Sequence, residues 1–233
     1  MTALQIADAL GVFVFALSGG LLASRKGMDL FGILVISLLP AIGGGTLRDL
    51  LLDRPVFWLE ESNIILVALA GGVVSAVLGE RIARFKALIW FDAMGLSLFC
   101  VIGAQAALGL GYGPIVVVMM GTITASFGGL MRDVVCNEVP LILREDIYAT
   151  AALIGAFTFW GAVTLGLSVT LAMLVGGLTA FIIRATVITL NVRRHIKWLR
   201  LKLAPLEISL IFVVDIMRRL CGIASVGVRL SFA

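Results

Sequence analysis

Two arginine–aspartate pairs are the residues of this sequence best placed to do chemistry in an apolar setting. Arg48-Asp49 follows Gly43-Gly44-Gly45, and Arg132-Asp133 follows Gly128-Gly129. A helical glycine costs about 0.8–1 kcal/mol relative to alanine, so consecutive glycines predict a break or a kink in each helix. An arginine near the centre of a bilayer costs at least ~2.5–3.5 kcal/mol, so each one needs a partner or water. The pattern predicts a polar route through a membrane.

Small residues also allow helices to pack closely, and that simpler interpretation is preferred for Gly71-Gly72 and Gly176-Gly177, which have no charges nearby. For the glycines beside charges we favour a pore, in which nearby hydroxyls would offer ligands to a partly dehydrated ion. The predicted pore and kink residues are Gly43, Gly44, Gly45, Thr46, Arg48, Asp49, Thr122, Thr124, Ser126, Gly128, Gly129, Arg132 and Asp133.

The arginines are predicted to find acidic partners on other helices. Neighbouring residues on a helix point about 100° apart, so Arg48 is not expected to be neutralised mainly by Asp49. Asp8 and Asp92 each begin an apolar run on the side where the next arginine-bearing run ends. We therefore predict the pairs Asp8 with Arg48 and Asp92 with Arg132. Both a purely architectural role and a role in lining the passage are compatible with these pairs.

Other kinds of site are not indicated. The three cysteines are widely spaced, and the single histidine, His195, stands in a basic stretch without metal-binding partners. No nucleophile with a base and no phosphate-binding loop is found. The net charge of +4 comes from basic residues beside apolar segments, which favours a topology signal over nucleic-acid binding. The sequence predicts no enzyme activity, no cofactor, no metal and no nucleic-acid partner.

The elements that must position these residues are apolar helices. Hydrophobic residues make up 61% of the chain and charged residues 14%, against about 45–50% and ~25% in soluble proteins. A bilayer core requires roughly 20 apolar residues per helix. Charges and turn-forming glycines divide the chain into seven predicted spans, at about 4–24, 30–52, 62–79, 88–109, 115–136, 147–165 and 169–190.

The sequence also matches itself at an offset of 84 positions, without a gap. Asp8-Ala9 falls on Asp92-Ala93, and Arg48-Asp49 falls on Arg132-Asp133. Each copy holds three spans, an odd number, so the second copy must enter the bilayer from the opposite side. We predict an all-α integral membrane protein with seven transmembrane helices. It comprises two inverted three-helix repeats at about 4–84 and 88–168 and a seventh helix at about 169–190, within a transmembrane domain of residues 1–192.

The distribution of lysine and arginine predicts the orientation. Most of these residues flank the ends of spans one, three and seven, which places those ends in the cytoplasm and the N-terminus outside. Residues 193–233 then form a basic cytoplasmic segment. For its apolar part, an amphipathic helix on the membrane surface is favoured over an eighth span, because charges interrupt it too often.

The motif set resembles a known family over roughly residues 4–192. GGGTLRD in span two, FGGLMRDV in span five and Phe91-Asp92-Ala93 are similar to the prokaryotic branch of the trimeric intracellular cation channel family. The resemblance implies a homotrimer in the bacterial cytoplasmic membrane, in contact with lipids. It also implies a potassium-permeable pore in each protomer, between kinked helices two and five. Arg132-Asp133-Val134 stands where animal members have Lys-Glu-Val, so any headgroup site built with that lysine does not carry over.

Two other functions are compatible with the same features. A secondary transporter for a small solute such as glycine, a role also associated with bacterial relatives, would equally have inverted repeats and broken helices. A non-conducting scaffold would use the glycines only for packing. Resolved ionic currents would indicate a channel, and saturable flux a carrier.

Overall fold

The computed structural model describes residues 3–82, 85–144 and 147–190. Within these ranges the chain forms nine α-helices and no strand. Their bounds are α1 Ala3–Arg25, α2 Leu30–Leu51, α3 Phe57–Glu60, α4 Asn63–Ile82, α5 Phe85–Gly109, α6 Pro114–Val135, α7 Leu141–Arg144, α8 Ala149–Thr164 and α9 Val169–Leu190. The predicted segment 193–233 lies outside the described residues.

Most of these helices suit a bilayer. Five of them (α1, α2, α5, α6 and α9) are long and apolar enough to cross a membrane, and α4 and α8 contain shorter apolar stretches at Asn63–Leu78 and Ala149–Thr164. Many large apolar side chains are exposed, as on α9, of which only 22% is buried within the protein. The chain is therefore an all-helical membrane protein.

The turns that end equivalent helices have matching backbone conformations. Gly27 after α1 and Gly111 after α5 have φ angles of 70° and 78°, a region that glycine adopts without steric cost. Asp53 after α2 and Asn137 after α6 have φ angles of 51° and 52°. Aspartate and asparagine tolerate this region better than most residues do. Each of these pairs is separated by 84 positions.

Helices α1 and α5 lie at the centre of the bundle. Helix α1 packs on α2, α4 and α5, and α5 packs on α6, α8 and α9. Phe15 of α1 and Phe99 of α5 stack with their ring centroids 5.3 Å apart, and both rings are buried. The cross-contact between the two halves is completed by α2 against α6.

Of the predicted break or kink, a break is not formed, because α2 and α6 each continue as unbroken α-helices through their glycines. A Cβ atom on Gly128 would lie 2.5 Å from the carbonyl oxygen of Pro40, and one on Gly44 would overlap the carbonyl oxygen of Thr124. The glycines thus bring the two backbones together, and this contact offsets their low helix propensity. Close packing is also confirmed for Gly71-Gly72 and Gly176-Gly177, where added Cβ atoms would lie 2.7–3.3 Å from atoms of neighbouring helices.

Candidate functional site

In each arginine–aspartate pair the two side chains hydrogen-bond to each other, and the aspartate also caps a short helix. Arg48 donates from Nε to Asp49 Oδ1 at 2.8 Å and from Nη2 to Asp49 Oδ2 at 2.9 Å. Asp49 Oδ2 also accepts the backbone N–H of Phe57 at 3.0 Å, in the first turn of α3. The prediction that Arg48 would not pair mainly with Asp49 is therefore wrong. Its Cα–Cβ bond points away from that of Asp49, but the long side chain folds back far enough for a bidentate pair, which is a strong interaction.

The end of α6 is built in the same way. Arg132 donates from Nε to Asp133 Oδ1 at 2.8 Å, and Asp133 Oδ2 accepts the backbone N–H of Leu141 at 2.9 Å. Every one of these residues lies 84 positions after its counterpart at the end of α2. Each aspartate therefore ties the end of a long helix to the start of the four-residue helix that follows.

Arg132 has additional partners that Arg48 lacks. Its Nη1 lies 2.8 Å from Asp92 Oδ1 of α5 and donates to the Ser18 hydroxyl of α1. The side chains of Arg132 and Asp92 are fully buried. The structure thus brings together Asp92 and Arg132, which the sequence analysis paired. We call Ser18, Asp92, Arg132 and Asp133 the Asp92 network, and the end of the bundle that holds it the Asp92 end.

The predicted Asp8–Arg48 pair is not formed. Within the part of the chain that the structure describes, Asp8 takes part in no ion pair and its Oδ1 has no hydrogen-bond partner. Arg48 is occupied by Asp49, and its guanidinium lies 5.4 Å from the ring centroid of Phe57. The position equivalent to Ser18 is Ile102, which cannot accept a hydrogen bond.

Asp8 lies in the wall of a cavity of about 490 Å³ between the ends of α1, α2, α3 and α5, which we call the Asp8 cavity. Its charged lining consists of Asp8, Arg48, Arg54, Glu60 and Glu61. A cavity of that size holds many water molecules, and water can solvate a carboxylate that has no arginine partner.

At the opposite end of the bundle, the described residues enclose much less space. There the space beside Asp133, Leu141 and Arg144 is only about 20 Å³, roughly the volume that one water molecule needs. Lys26 and Glu138 form an ion pair of 2.6 Å across the same end, between the turns that follow α1 and α6. The hydrogen bond from Lys26 lowers the pKa of the Glu138 carboxyl. Among the described residues, the Asp8 end therefore holds a large cavity, whereas the space beside Asp133 is small.

The four predicted hydroxyl ligands line neither of these cavities. Thr122, Thr124 and Ser126 each donate to a carbonyl one turn earlier in α6, at 2.6–2.9 Å. Thr46 does the same in α2 and accepts a hydrogen bond of 2.9 Å from Trp58 Nε1. Thr124 is fully buried in the contact between helices. Their protons are thus used within the protein, whereas their oxygen lone pairs can still accept.

Sequence reasoning missed three side chains at the Asp92 end: Ser18, Tyr148 and Arg184. Tyr148 is buried just before α8, and the Arg184 guanidinium of α9 lies 4.9 Å from its ring centroid. A signal for Arg184 was available, because it is the one charged residue of the seventh apolar run. No comparable signal marks Ser18, since its equivalent is an isoleucine.

Comparisons with known proteins place this arrangement in a family. A family model described as "Glycine transporter" matches residues 5–80 and again residues 89–164. The inner membrane protein YadS of Escherichia coli K12 is 40% identical over 194 residues, which covers 82% of this chain and 92% of that protein. A membrane protein of Vibrio cholerae is 39% identical and covers 78% of this chain and 77% of its own length.

Solved structures give the same result. A trimeric intracellular cation channel orthologue from Rhodobacter sphaeroides superposes with a TM-score of 0.79 at 41% identity, over 82% of this chain and 100% of that one. A prokaryotic channel of this kind, crystallised in 0.5 M KCl, has a TM-score of 0.76 at 31% identity, over 81% and 96%. Because these matches span both arginine–aspartate pairs, the chain belongs to the prokaryotic trimeric intracellular cation channel family.

Proposed function

We propose that this protein is a passive channel for monovalent cations, with potassium as the main ion, in the inner membrane of a bacterium. The observation that carries the proposal is the Asp8 cavity. Its lining has three carboxylates and two arginines. Of the two arginines, Arg48 is already neutralised by its ion pair with Asp49. The excess of negative charge in a concave space attracts cations. The solved relatives are described as cation channels, and YadS is described as an inner membrane protein.

The proposed architecture is seven transmembrane helices in a domain of residues 1–192, arranged as two inverted three-helix repeats with α9 as the extra helix. The family model supports the duplication, because its two matches begin 84 residues apart. The lining of the two cavities supports the inversion, because α2 ends beside the Asp8 cavity whereas α6 ends at the Asp92 end. In this proposal the Asp92 end faces the cytoplasm, where residues 193–233 would also lie. A homotrimer is proposed because the solved relatives are described as trimeric.

We place the pore within each protomer, along the contact between α2 and α6. The backbones touch at Gly44 and Gly128, so conduction requires these helices to bend or separate there. Pro40 lacks an N–H, which leaves one turn of α2 without its ladder hydrogen bond and makes it the natural place to bend. The Asp92 network would then be the closed gate of the non-conducting state.

Planar-bilayer recording tests this proposal. Purified protein in KCl gradients should give resolved currents whose reversal potential follows potassium and not chloride. Glu61→Gln should lower potassium conductance, because it removes a charge from the Asp8 cavity, whereas Asp53→Asn in the neighbouring turn should not. Absence of currents together with saturable solute uptake would refute the channel.

A secondary transporter for a small zwitterion such as glycine is the second candidate. It is favoured by the position of the Asp8 cavity at one end of the bundle, since a carrier exposes its site to one side at a time. The Asp8 cavity holds both arginines and carboxylates, which could bind the two charges of an amino acid. Counterflow of labelled glycine, with a rate that saturates, would establish this function in place of the channel.

A further inference from the structure

Arg184 is a buried charge on a helix that is otherwise uncharged. Only four residues of α9 are buried, and Arg184, the single charged residue of this helix, is one of them with no exposed area. Burying a guanidinium at membrane depth is costly, so its retention calls for a specific contact.

The contacts of Arg184 hold the start of α8. Its Nη1 donates to the carbonyl oxygen of Ile147 at 3.0 Å, and the guanidinium lies over the ring of Tyr148 at 4.9 Å from the centroid. A cation over an aromatic face in a desolvated site is a strong form of this interaction. Arg184 therefore fixes both the backbone and the side chain at this point.

Tyr148 extends from there to the Asp92 network. A Cβ atom on Gly129 would lie 3.0 Å from Tyr148 Oη and 3.3 Å from Asp92 Oδ1. The absence of a side chain at Gly129 thus leaves room for the tyrosine hydroxyl beside the buried ion pair. The position equivalent to Tyr148 at the Asp8 end is Ile64, so that end lacks a tyrosine at this place.

We propose that Arg184 is a positioning residue that holds Tyr148 against the Asp92 network and thereby keeps the Asp92 end closed. In this arrangement α9, which lies outside both repeats, sets how readily that end opens. The inference rests on the proposed transport function, because it assumes that the Asp92 end opens during transport.

The native thiol of Cys136 provides a readout that does not depend on the transported solute. Cys136 is buried at the C-terminal cap of α6, at the Asp92 end. In a background where Cys100 and Cys221 are replaced by alanine, a membrane-impermeant maleimide on both sides of proteoliposomes should label Cys136 slowly. The labelling rate then reports how often the Asp92 end opens.

Arg184→Gln should raise the Cys136 labelling rate about thirtyfold, the size expected when a desolvated cation–π contact is lost. Arg184→Lys keeps the charge but not the planar fork, and should give an intermediate rate. Thr186→Val, a change at an exposed position of the same helix, is the matched control and should label at the parent rate. In a Tyr148→Leu background, Arg184→Gln should add nothing, because the arginine acts through the tyrosine.

Parent-like labelling in both Arg184 variants would overturn the proposal, and so would effects of Arg184→Gln and Tyr148→Leu that simply multiply. If Arg184→Gln does not assemble, Arg184→Lys decides the matter, since a raised rate supports the role and a parent rate refutes it. Failure of the channel proposal gives a different result. If the parent protein gives no currents but Arg184→Gln still raises the labelling rate only when Tyr148 is present, the positioning role stands and potassium conduction is refuted.

Discussion

Replacing Gly128 by alanine measures how much the contact between α2 and α6 constrains this protein. The added Cβ would lie 2.5 Å from the Pro40 carbonyl oxygen, and ordinary contacts begin near 3.4 Å, so the helices must separate by about 0.9 Å. Because the obstacle is backbone, no rotamer change can relieve it. Overpacking of this kind costs typically ~1–3 kcal/mol.

Gly161→Ala on α8 is the matched control, because a Cβ there meets nothing within 4 Å. Both substitutions gain up to about 1 kcal/mol of helix propensity. The two variants should therefore differ by the packing cost alone, ~1–3 kcal/mol. At roughly 2–4 °C per kcal/mol for a chain of this size, Gly128→Ala should melt several degrees below Gly161→Ala.

The assay is thermal unfolding of the purified protein in detergent, with potassium flux measured on the same samples in liposomes. If Gly128→Ala melts together with Gly161→Ala, the backbone contact does not constrain the fold and the packing account is refuted. If the melting temperatures agree but flux falls only in Gly128→Ala, the glycine serves as a hinge and not as a spacer.

Three further outcomes follow from the ion pairs. Asp92→Asn removes one of the two carboxylates that pair with the buried Arg132. It should destabilise the protein towards the lower end of ~3–5 kcal/mol, because the carboxylate of Asp133 remains. An unchanged melting temperature would contradict this. Asp49→Ala removes the cap of α3 and should cost at least ~1 kcal/mol, seen as faster proteolysis in the connection after α2. Glu138→Gln should cost less than about 1 kcal/mol at neutral pH, since the pair with Lys26 is exposed. Because the pKa of Glu138 is lowered in the folded protein, its pair with Lys26 stabilises the fold fully above the ordinary glutamate pKa. This stabilisation is lost as the pH falls through the lowered pKa, so the stability difference between Glu138→Gln and the parent should narrow in acid.

The long helices could be placed from the sequence because charges and glycines interrupt the apolar runs. Spans predicted at 4–24 and 30–52 correspond to α1 at Ala3–Arg25 and α2 at Leu30–Leu51. The four-residue helices α3 and α7 left no such signal, because a single turn has no hydrophobic period to detect. They are defined instead by hydrogen bonds that their first backbone N–H groups donate to the aspartates near the ends of α2 and α6.

The interactions at the site were harder to predict than the helices. The proximity of Asp92 and Arg132 followed from where their helices begin and end. The pairing of Arg48 with Asp49 did not, because helix phase fixes the Cα–Cβ direction but not the reach of an arginine. For Gly128 the intrinsic helix propensity predicted a break or a kink, whereas α6 packs on α2 as a continuous helix.

The two ends differ because of residues outside the repeated motif. Both ends have the same arginine–aspartate pair and the same capped helix. These shared elements therefore cannot explain why the two ends differ. Subtracting the 84-residue offset shows what differs: Ser18 at the Asp92 end has Ile102 as its counterpart, and Tyr148 has Ile64. Unlike Ser18, isoleucine cannot accept a hydrogen bond from an arginine. Arg48 therefore forms an ion pair only with Asp49, and Asp8 remains in the wall of the cavity. Arg132 instead joins α6 to α1 through Ser18 and to α5 through Asp92. A duplicated sequence can thus build a large cavity at one end and a buried ion-pair network at the other while its shared motif stays unchanged.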